Sequence, residues 1–267
     1  MTTNKTTCKN LILDYKELGI QIVKISRIKQ LNALNTETLE ELKETLQVFA
    51  KDTTVRVVIL TGDGDKAFIA GADIAEMKDM NTSQGVRFSR LGHDVAKLLE
   101  QMPKPTIAAV NGFALGGGTE MAIACDFIIA SENAVFGQPE VGLGIIPGFG
   151  ANFRLPKFVG LPRAKELIFS GRRVKADEAF RIGLASFVYP VEGFLSKVIE
   201  FACEISQKSS EALRASKKTI NELSETNGLN AKLDAEAQTF GTLFSSYDQK
   251  EGMSAFVEKR KPKFQGL

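Results

Sequence analysis

A chain of 267 residues with 43% hydrophobic and 25% charged residues suits one large α/β domain, or one domain with an appended helical piece. A net charge of +2 is too small to argue for nucleic acid; one histidine excludes most histidine-based metal sites; three scattered cysteines support neither a disulfide framework nor a zinc site. No apolar run approaches ~18 residues, so no membrane-spanning helix is expected. The polar stretch 1–10 lacks a secretory apolar core or an arginine-rich presequence, and the final Phe-Gln-Gly-Leu is not a peroxisomal address, which makes the cytoplasm the default.

Two short strands are predicted at 11–15 and 20–26, joined through Gly19. A helix follows from about residue 36, capped by Asn35 or Thr36, with Leu39, Leu42, Leu46 and Phe49 on one face. The β-branched run 55–60 ends at Thr61-Gly62, as a buried parallel strand should. Residues 62–73 read as a loop, and 83–102 as an amphipathic helix with Phe88, Leu91, Val95, Leu98 and Met102 as its stripe. Strands are expected at 106–110 and 126–130, with a glycine turn and a helix to about residue 124 between them. This alternation argues for an α/β fold with parallel pairing and right-handed crossovers. Beyond Tyr189-Pro190 the pattern is wholly helical, at 193–207, 210–224, 229–244 and 249–259. So much helical apolar surface needs a cover, either the core or another subunit. A soft boundary near 190 therefore separates a core, 1–190, from a helical region, 191–267.

Two segments carry chemistry. Gly112-Phe-Ala-Leu-Gly116-Gly117-Gly118-Thr119-Glu120 takes a strand through glycines into a helix, where the first N–H groups lack intrahelical partners and the helix dipole adds positive charge. Such a turn suits a developing anion; the competing reading is that its glycines merely permit tight helix–sheet packing. The second segment, Phe136-Gly-Gln-Pro-Glu140, ends in another carboxylate, and a carboxylate pair can supply the acid and the base for moving protons on and off carbon and water. The loop around Ala70-Gly71-Ala72-Asp73 falls on the carboxyl side of the sheet, where open α/β folds bind ligands. Asp73 reads as a helix cap, with Glu76 three residues on, in preference to a catalytic acid. His93, between Arg90 and Lys97, reads as a surface residue, Cys125 as a small core residue, and Lys259-Arg260-Lys261 with Lys263 as a solvated tail. Gly142-Leu-Gly144 lacks the third glycine of a dinucleotide loop.

Ala70-Gly-Ala-Asp-Ile74, the run 111–120, and Gly137-Gln-Pro-Glu140 through Ile146-Pro-Gly148 together resemble the crotonase (enoyl-CoA hydratase/isomerase) superfamily. Asn32-Ala-Leu34 and Lys175-Ala-Asp-Glu-Ala179 followed by Gly183-Leu184 match the same pattern, so the likeness runs from about residue 10 to the C-terminus. It implies a spiral of repeated ββα units with a C-terminal helical trimerisation region, assembled as a homotrimer or a homohexamer. Glutamate at both 120 and 140 is similar to the hydratases of the family, and implies reversible syn addition of water to a short-chain trans-2-enoyl-CoA. Glu120 would activate the water, Glu140 would serve the proton at C2, and the N–H groups of Ala72 and Gly117 would bind the thioester oxygen. Ala70, Gly71, Asp73, Ile74 and Gly116 would contact the acyl–pantetheine part, and the stretch from Lys29 to Ala33 the adenine. Coenzyme A would enter only as part of the substrate, with no metal or other cofactor.

The likeness breaks at Gly150-Ala-Asn-Phe-Arg154, where the family often has Gly-Gly-Thr-Gln-Arg; Phe153 there bears on acyl length or on subunit packing. Two rival functions remain: a Δ3–Δ2 enoyl-CoA isomerase, which leaves Glu120 surplus, and a non-catalytic acyl-CoA-binding oligomer, which needs neither carboxylate.

Overall fold

A computed structural model describes residues 8–266; residues 1–7 of the polar start, and Leu267 at the other end, lie outside the described residues. The chain opens with an antiparallel pair, β1 (Leu11–Lys16) and β2 (Ile20–Ile25), then α1 (Thr36–Lys51). Asn35 is the cap of α1, its side chain accepting from the Thr38 N–H, and Leu39, Leu42, Leu46 and Phe49 are buried as the periodicity requires.

From there the chain repeats one move. β3 (Val57–Gly62) and β4 (Ala67–Ile69) lead through the short α2 (Ile74–Met77) to α3 (Thr82–Gln101). β5 (Thr106–Val110) and β6 (Phe113–Leu115) lead to α4 (Gly117–Ala124). β7 (Phe127–Ser131) and β8 (Val135–Gly137) lead to α5 (Ala151–Val159) and α6 (Leu161–Ser170). β9 (Val174–Lys175), α7 (Ala176–Arg181) and β10 (Phe187–Tyr189) complete this part. In each turn the first strand joins a six-stranded sheet, ordered β1-β2-β3-β5-β7-β10, and the second joins a four-stranded sheet, ordered β4-β6-β8-β9. Pairing within β2-β3-β5-β7-β10 and within β4-β6-β8 is parallel. This is the spiral of ββα units expected from the family resemblance.

Strands buried on both faces need cover on both. One face of the larger sheet meets α1, α3 and the smaller sheet through Val58, Leu60, Ala108, Val110, Phe68, Leu42 and Val95. The other face, built on Ile20, Ile22, Val57, Ile59, Ile107 and Ile129, is sealed by Phe194, Val198 and Ala202 of α8 (Phe194–Ser206). The last helices are α9 (Ser210–Glu225), α10 (Leu229–Thr242) and α11 (Tyr247–Val257); after Tyr189 the described residues hold no strand. Lys217 fixes α9 to the core, its ammonium reaching Asp126 at 2.9 Å and the Leu99 and Lys104 carbonyls at 3.0 and 3.1 Å. No helix among the described residues is long and apolar enough to cross a membrane.

The structure corrects one boundary and adds elements. Residues 62–73 are not all loop, because β4 lies within them. β6, β8, β9 and β10, with helices α5 to α7, were absent from the sequence reading. A strand of two or three residues spans barely one period of the alternation that marks a strand, so its signal is lost among neighbouring glycines.

Candidate active site

The glycine run divides into two jobs. A Cβ on Gly118 would stand 1.9 Å from the Ile69 carbonyl oxygen, so that glycine serves the close approach of α4 to β4. Gly116 and Gly117 face a cleft instead. Gly116 adopts φ +50°, ψ −121°, a region closed to side chains, and turns the chain sharply from β6 into α4. Every residue of α4 is buried, including Glu120, which is 2% exposed. One Glu120 carboxylate oxygen accepts the Phe149 N–H at 2.8 Å and the Ala151 N–H at 2.9 Å. Ala151 is the first residue of α5, so the carboxylate sits on a helix N-terminus. Among the described residues its other oxygen has no protein donor, although it borders the cleft. Burial pushes the Glu120 carboxyl above its ordinary range, and the N–H groups of 148–151 pull the other way without cancelling it.

Glu140 follows β8 through Gln138 and Pro139 and opens a single 3₁₀ turn, Glu140–Leu143. It is 8% exposed. The Gln138 amide, oriented with its nitrogen towards Glu140, donates to both carboxylate oxygens at 3.0 Å. Gly116 lies against the opposite side: a Cβ there would come within 2.6 Å of a Glu140 carboxylate oxygen. Burial, with a further push from the charge on Glu120, raises the Glu140 carboxyl to about 7. Two neighbouring carboxyls that both resist ionisation titrate as a coupled pair.

The third component is the loop after β4. Ala70, Gly71, Ala72 and Ile74 line the same cleft as Gly116, Gly117, Glu120 and Glu140. A Cβ on Gly117 would be 3.6 Å from the Ala72 nitrogen, so these two backbone amides are neighbours. Among the described residues neither N–H donates to a backbone carbonyl, as expected for Gly117 at the first position of a helix. The loop is stitched to the 31–34 stretch: Ala70 N–H donates to the Leu31 carbonyl, Leu34 N–H to Gly71, and Asp73 N–H to Leu34. Asp73 is a cap, its carboxylate accepting the Ala75 N–H at 3.1 Å and the Arg27 guanidinium at 2.9 Å. Glu76 does not close a capping box; it reaches Thr36 at the start of α1. Lys29 is exposed on a 3₁₀ turn and Ala33 is half-buried, and neither is among the residues lining the cleft.

The cleft has a volume of about 810 Å³, and beyond the carboxylates its walls are mostly apolar, including Met77, Val86, Phe88, Leu143 and Ile145. Here the reading of His93 is corrected. It is half-buried and lines the cleft, its ring stacked with Phe153 at 6.3 Å between centroids. Helical periodicity placed it off the apolar stripe of α3, and that is right, but the 147–153 segment covers that face. Gln138 and the Phe149 and Ala151 amides were not singled out either. Gly148-Phe-Gly150 ahead of a helix carries the same glycine signal as 116–118 and could have identified the amides. Among the described residues no three His, Cys, Asp or Glu side chains gather as a metal-binding set.

Comparison with known proteins identifies the family. The family described as enoyl-CoA hydratase/isomerase matches residues 15–267. The chain belongs to that family. A protein named crotonyl-CoA hydratase from Syntrophomonas wolfei is 49% identical over 256 residues, covering 96% of this chain and 98% of its own length. One named short-chain-enoyl-CoA hydratase from Clostridium acetobutylicum is 50% identical over 252 residues, covering 94% and 96%. Among solved structures, an enoyl-CoA hydratase from Bacillus anthracis superposes with a TM-score of 0.94 at 42% identity, covering 97% of this chain and all of that one. Family membership therefore agrees with the two-sheet spiral.

Proposed function

We propose that this protein is a short-chain enoyl-CoA hydratase, adding water reversibly and syn across the double bond of a trans-2-enoyl-CoA to give the 3-hydroxyacyl-CoA. The observation that carries this reading is the meeting of Glu120, Glu140 and the adjacent Ala72 and Gly117 amides in one apolar cleft. Identity of about one half to two named short-chain or crotonyl-CoA hydratases supports it.

In the proposed reaction a water lies between the carboxyls. Glu120 takes its proton as the oxygen bonds to C3, and the π electrons move through C2 onto the thioester oxygen. The Ala72 and Gly117 N–H groups receive that developing charge, a contribution on the order of 10²–10³ in rate for one such donor. Glu140, protonated near neutrality, then delivers its proton to C2, and the proton held by Glu120 returns the pair to its starting state. Coenzyme A is part of the substrate, and the scheme calls for no other cofactor. Ala70, Gly71, Ile74 and Gly116 would follow the acyl–pantetheine bend, with the 29–33 stretch near the adenine; Asp73 would shape that bend as the helix cap, its carboxylate held by Arg27 and its backbone N–H by the Leu34 carbonyl. The 191–267 helices would build a trimer or a dimer of trimers. Exposed apolar side chains support this: Leu229 at 71%, Phe240 at 63%, Phe256 at 85% and Val257 at 79%. A monomer by light scattering would contradict it.

The direct test follows the absorbance of the conjugated thioester when protein meets crotonyl-CoA. Loss of absorbance with product at the mass of 3-hydroxybutyryl-CoA is expected. Conversion of a 3-enoyl-CoA to the 2-enoyl ester, with no hydration, would establish the isomerase instead. Binding of crotonyl-CoA without turnover would leave the non-catalytic reading.

A further inference from the structure

The cleft has two helical walls that approach one another. One is α3, contributing Val86, Phe88 and His93; the other is the first turn of α5, contributing Asn152 and Phe153. His93 and Phe153 meet ring to ring at 6.3 Å with 24° between their planes, so a contact joins the walls at that point. The α3 side of the contact is tightly set, while Phe153 is 50% exposed. Gly92, next to His93, has no room for a Cβ, which would fall 2.1 Å from the Phe149 ring, and Ser89 donates to the Gly148 carbonyl at 2.6 Å. On the α5 side the Arg154 guanidinium lies 4.6 Å from the Phe153 ring centroid and is itself fixed by Glu100 at 2.9 Å and the Phe149 carbonyl at 3.1 Å. Partial burial and the Arg154 charge hold the imidazole below its ordinary pKa, so near neutrality it presents an uncharged aromatic face. Phe153 is also only two residues from Ala151, whose N–H holds Glu120. The contact thus stands a short distance from the reacting atoms.

We infer that the His93–Phe153 pair closes the acyl end of the cleft and sets acyl chain length, admitting four-carbon chains and obstructing long unbranched ones. This rests on the hydratase reading above. Both rings line the cleft that holds Glu120 and Glu140, so on this inference methylenes beyond the first few meet them, and each methylene that finds apolar cover is worth about fourfold in affinity. A fixed aromatic stop withholds that gain from longer chains.

The test uses the full-length protein, Phe153→Ala and His93→Ala, with two readouts. The first is kcat/KM for crotonyl-, 2-hexenoyl- and 2-decenoyl-CoA. The second is calorimetric affinity for the saturated butyryl- and decanoyl-CoA esters, which needs no turnover. Phe153→Ala is expected to raise the decenoyl-to-crotonyl ratio of kcat/KM at least tenfold, chiefly through KM, and to raise the decanoyl-to-butyryl affinity ratio similarly. His93→Ala is expected to move both ratios in the same direction by a smaller factor. Ratios unchanged from wild type in both variants, with circular dichroism showing them folded, would overturn the inference. Absence of turnover with every 2-enoyl ester would count against the hydratase reading, while the affinity ratios would still decide the stop.

Discussion

Glu120 and Glu140 are the same residue in two different housings. Glu120 sits mid-helix with one oxygen fixed by two backbone amides at the start of α5. Glu140 sits on a 3₁₀ turn, held by a side-chain amide on one side and pressed by a glycine on the other. Backbone donors cannot be substituted away and set a position rigidly, whereas a side-chain donor can be tuned. Both carboxyls are pushed up by burial; at Glu120 the N–H groups of 148–151 oppose that push, and at Glu140 the neighbouring carboxylate adds to it. The difference teaches that, in the proposed reaction, acid and base would be told apart by surroundings, since the residue type is shared.

The largest effect should come from removing either carboxylate. Glu120→Gln and Glu140→Gln should each lower kcat on crotonyl-CoA by about 10³-fold or more, and the double variant should cost far less than the product of the two. Retention of full activity by either single variant would break the assignment of roles. Gly116→Ala comes next. Its Cβ would be driven towards the Glu140 carboxylate in a backbone conformation that disfavours side chains, so kcat should fall about 10- to 100-fold with KM changed less.

Stability sharpens the contrast further. Glu140 has a folded pKa raised to about 7 against an unfolded value near 4.5, so the folded state binds the proton more tightly and stability is lost as pH rises between those values. Glu140→Gln removes that penalty and should melt several degrees higher than wild type at pH 8, a gain on the order of 1–3 kcal/mol that disappears near pH 4.5, read by thermal denaturation across pH. The smallest effect is a shift in a pH profile. Hydration requires protonated Glu140, so kcat/KM should fall above about pH 7. Gln138→Leu removes donors that favour the charged carboxylate, and should move that alkaline limb upward by roughly half a unit to one unit. A downward shift would mean that Gln138 serves the protonated form.

Much of this contrast was legible before any coordinates. Long periodic elements such as α1 and α3 declare themselves through stripes of Leu39, Leu42 and Leu46 or Phe88 and Val95, because burial of a helical face needs a repeated pattern. The two glutamates stood out because each closes a glycine-bearing turn with few ionisable neighbours. The site's remaining parts were illegible for a shared reason: they depend on which segments meet. Nothing in the order of residues says that the Phe149 and Ala151 amides fold back onto Glu120, some thirty residues earlier, or that the 147–153 segment covers the polar side of α3 and encloses His93. β4, β6 and β8 escaped because each is three residues long and takes its identity from neighbours in the sheet.

That smaller sheet has a consequence of its own. β4 hands the chain to Ala70–Ala72, β6 to Gly116–Glu120, and β8 to Gln138–Glu140, and these three strands are adjacent and parallel in the order β4-β6-β8. Parallel neighbours keep a separation of about 4.8 Å. The hydrogen-bond ladder therefore acts as a ruler, presenting three chemical handles in a row at a fixed pitch comparable to the span of a thioester and its reacting carbons. A residue exchanged at any one handle alters the reagent but leaves the pitch intact, so such a scaffold can change its chemistry without having to rebuild its geometry.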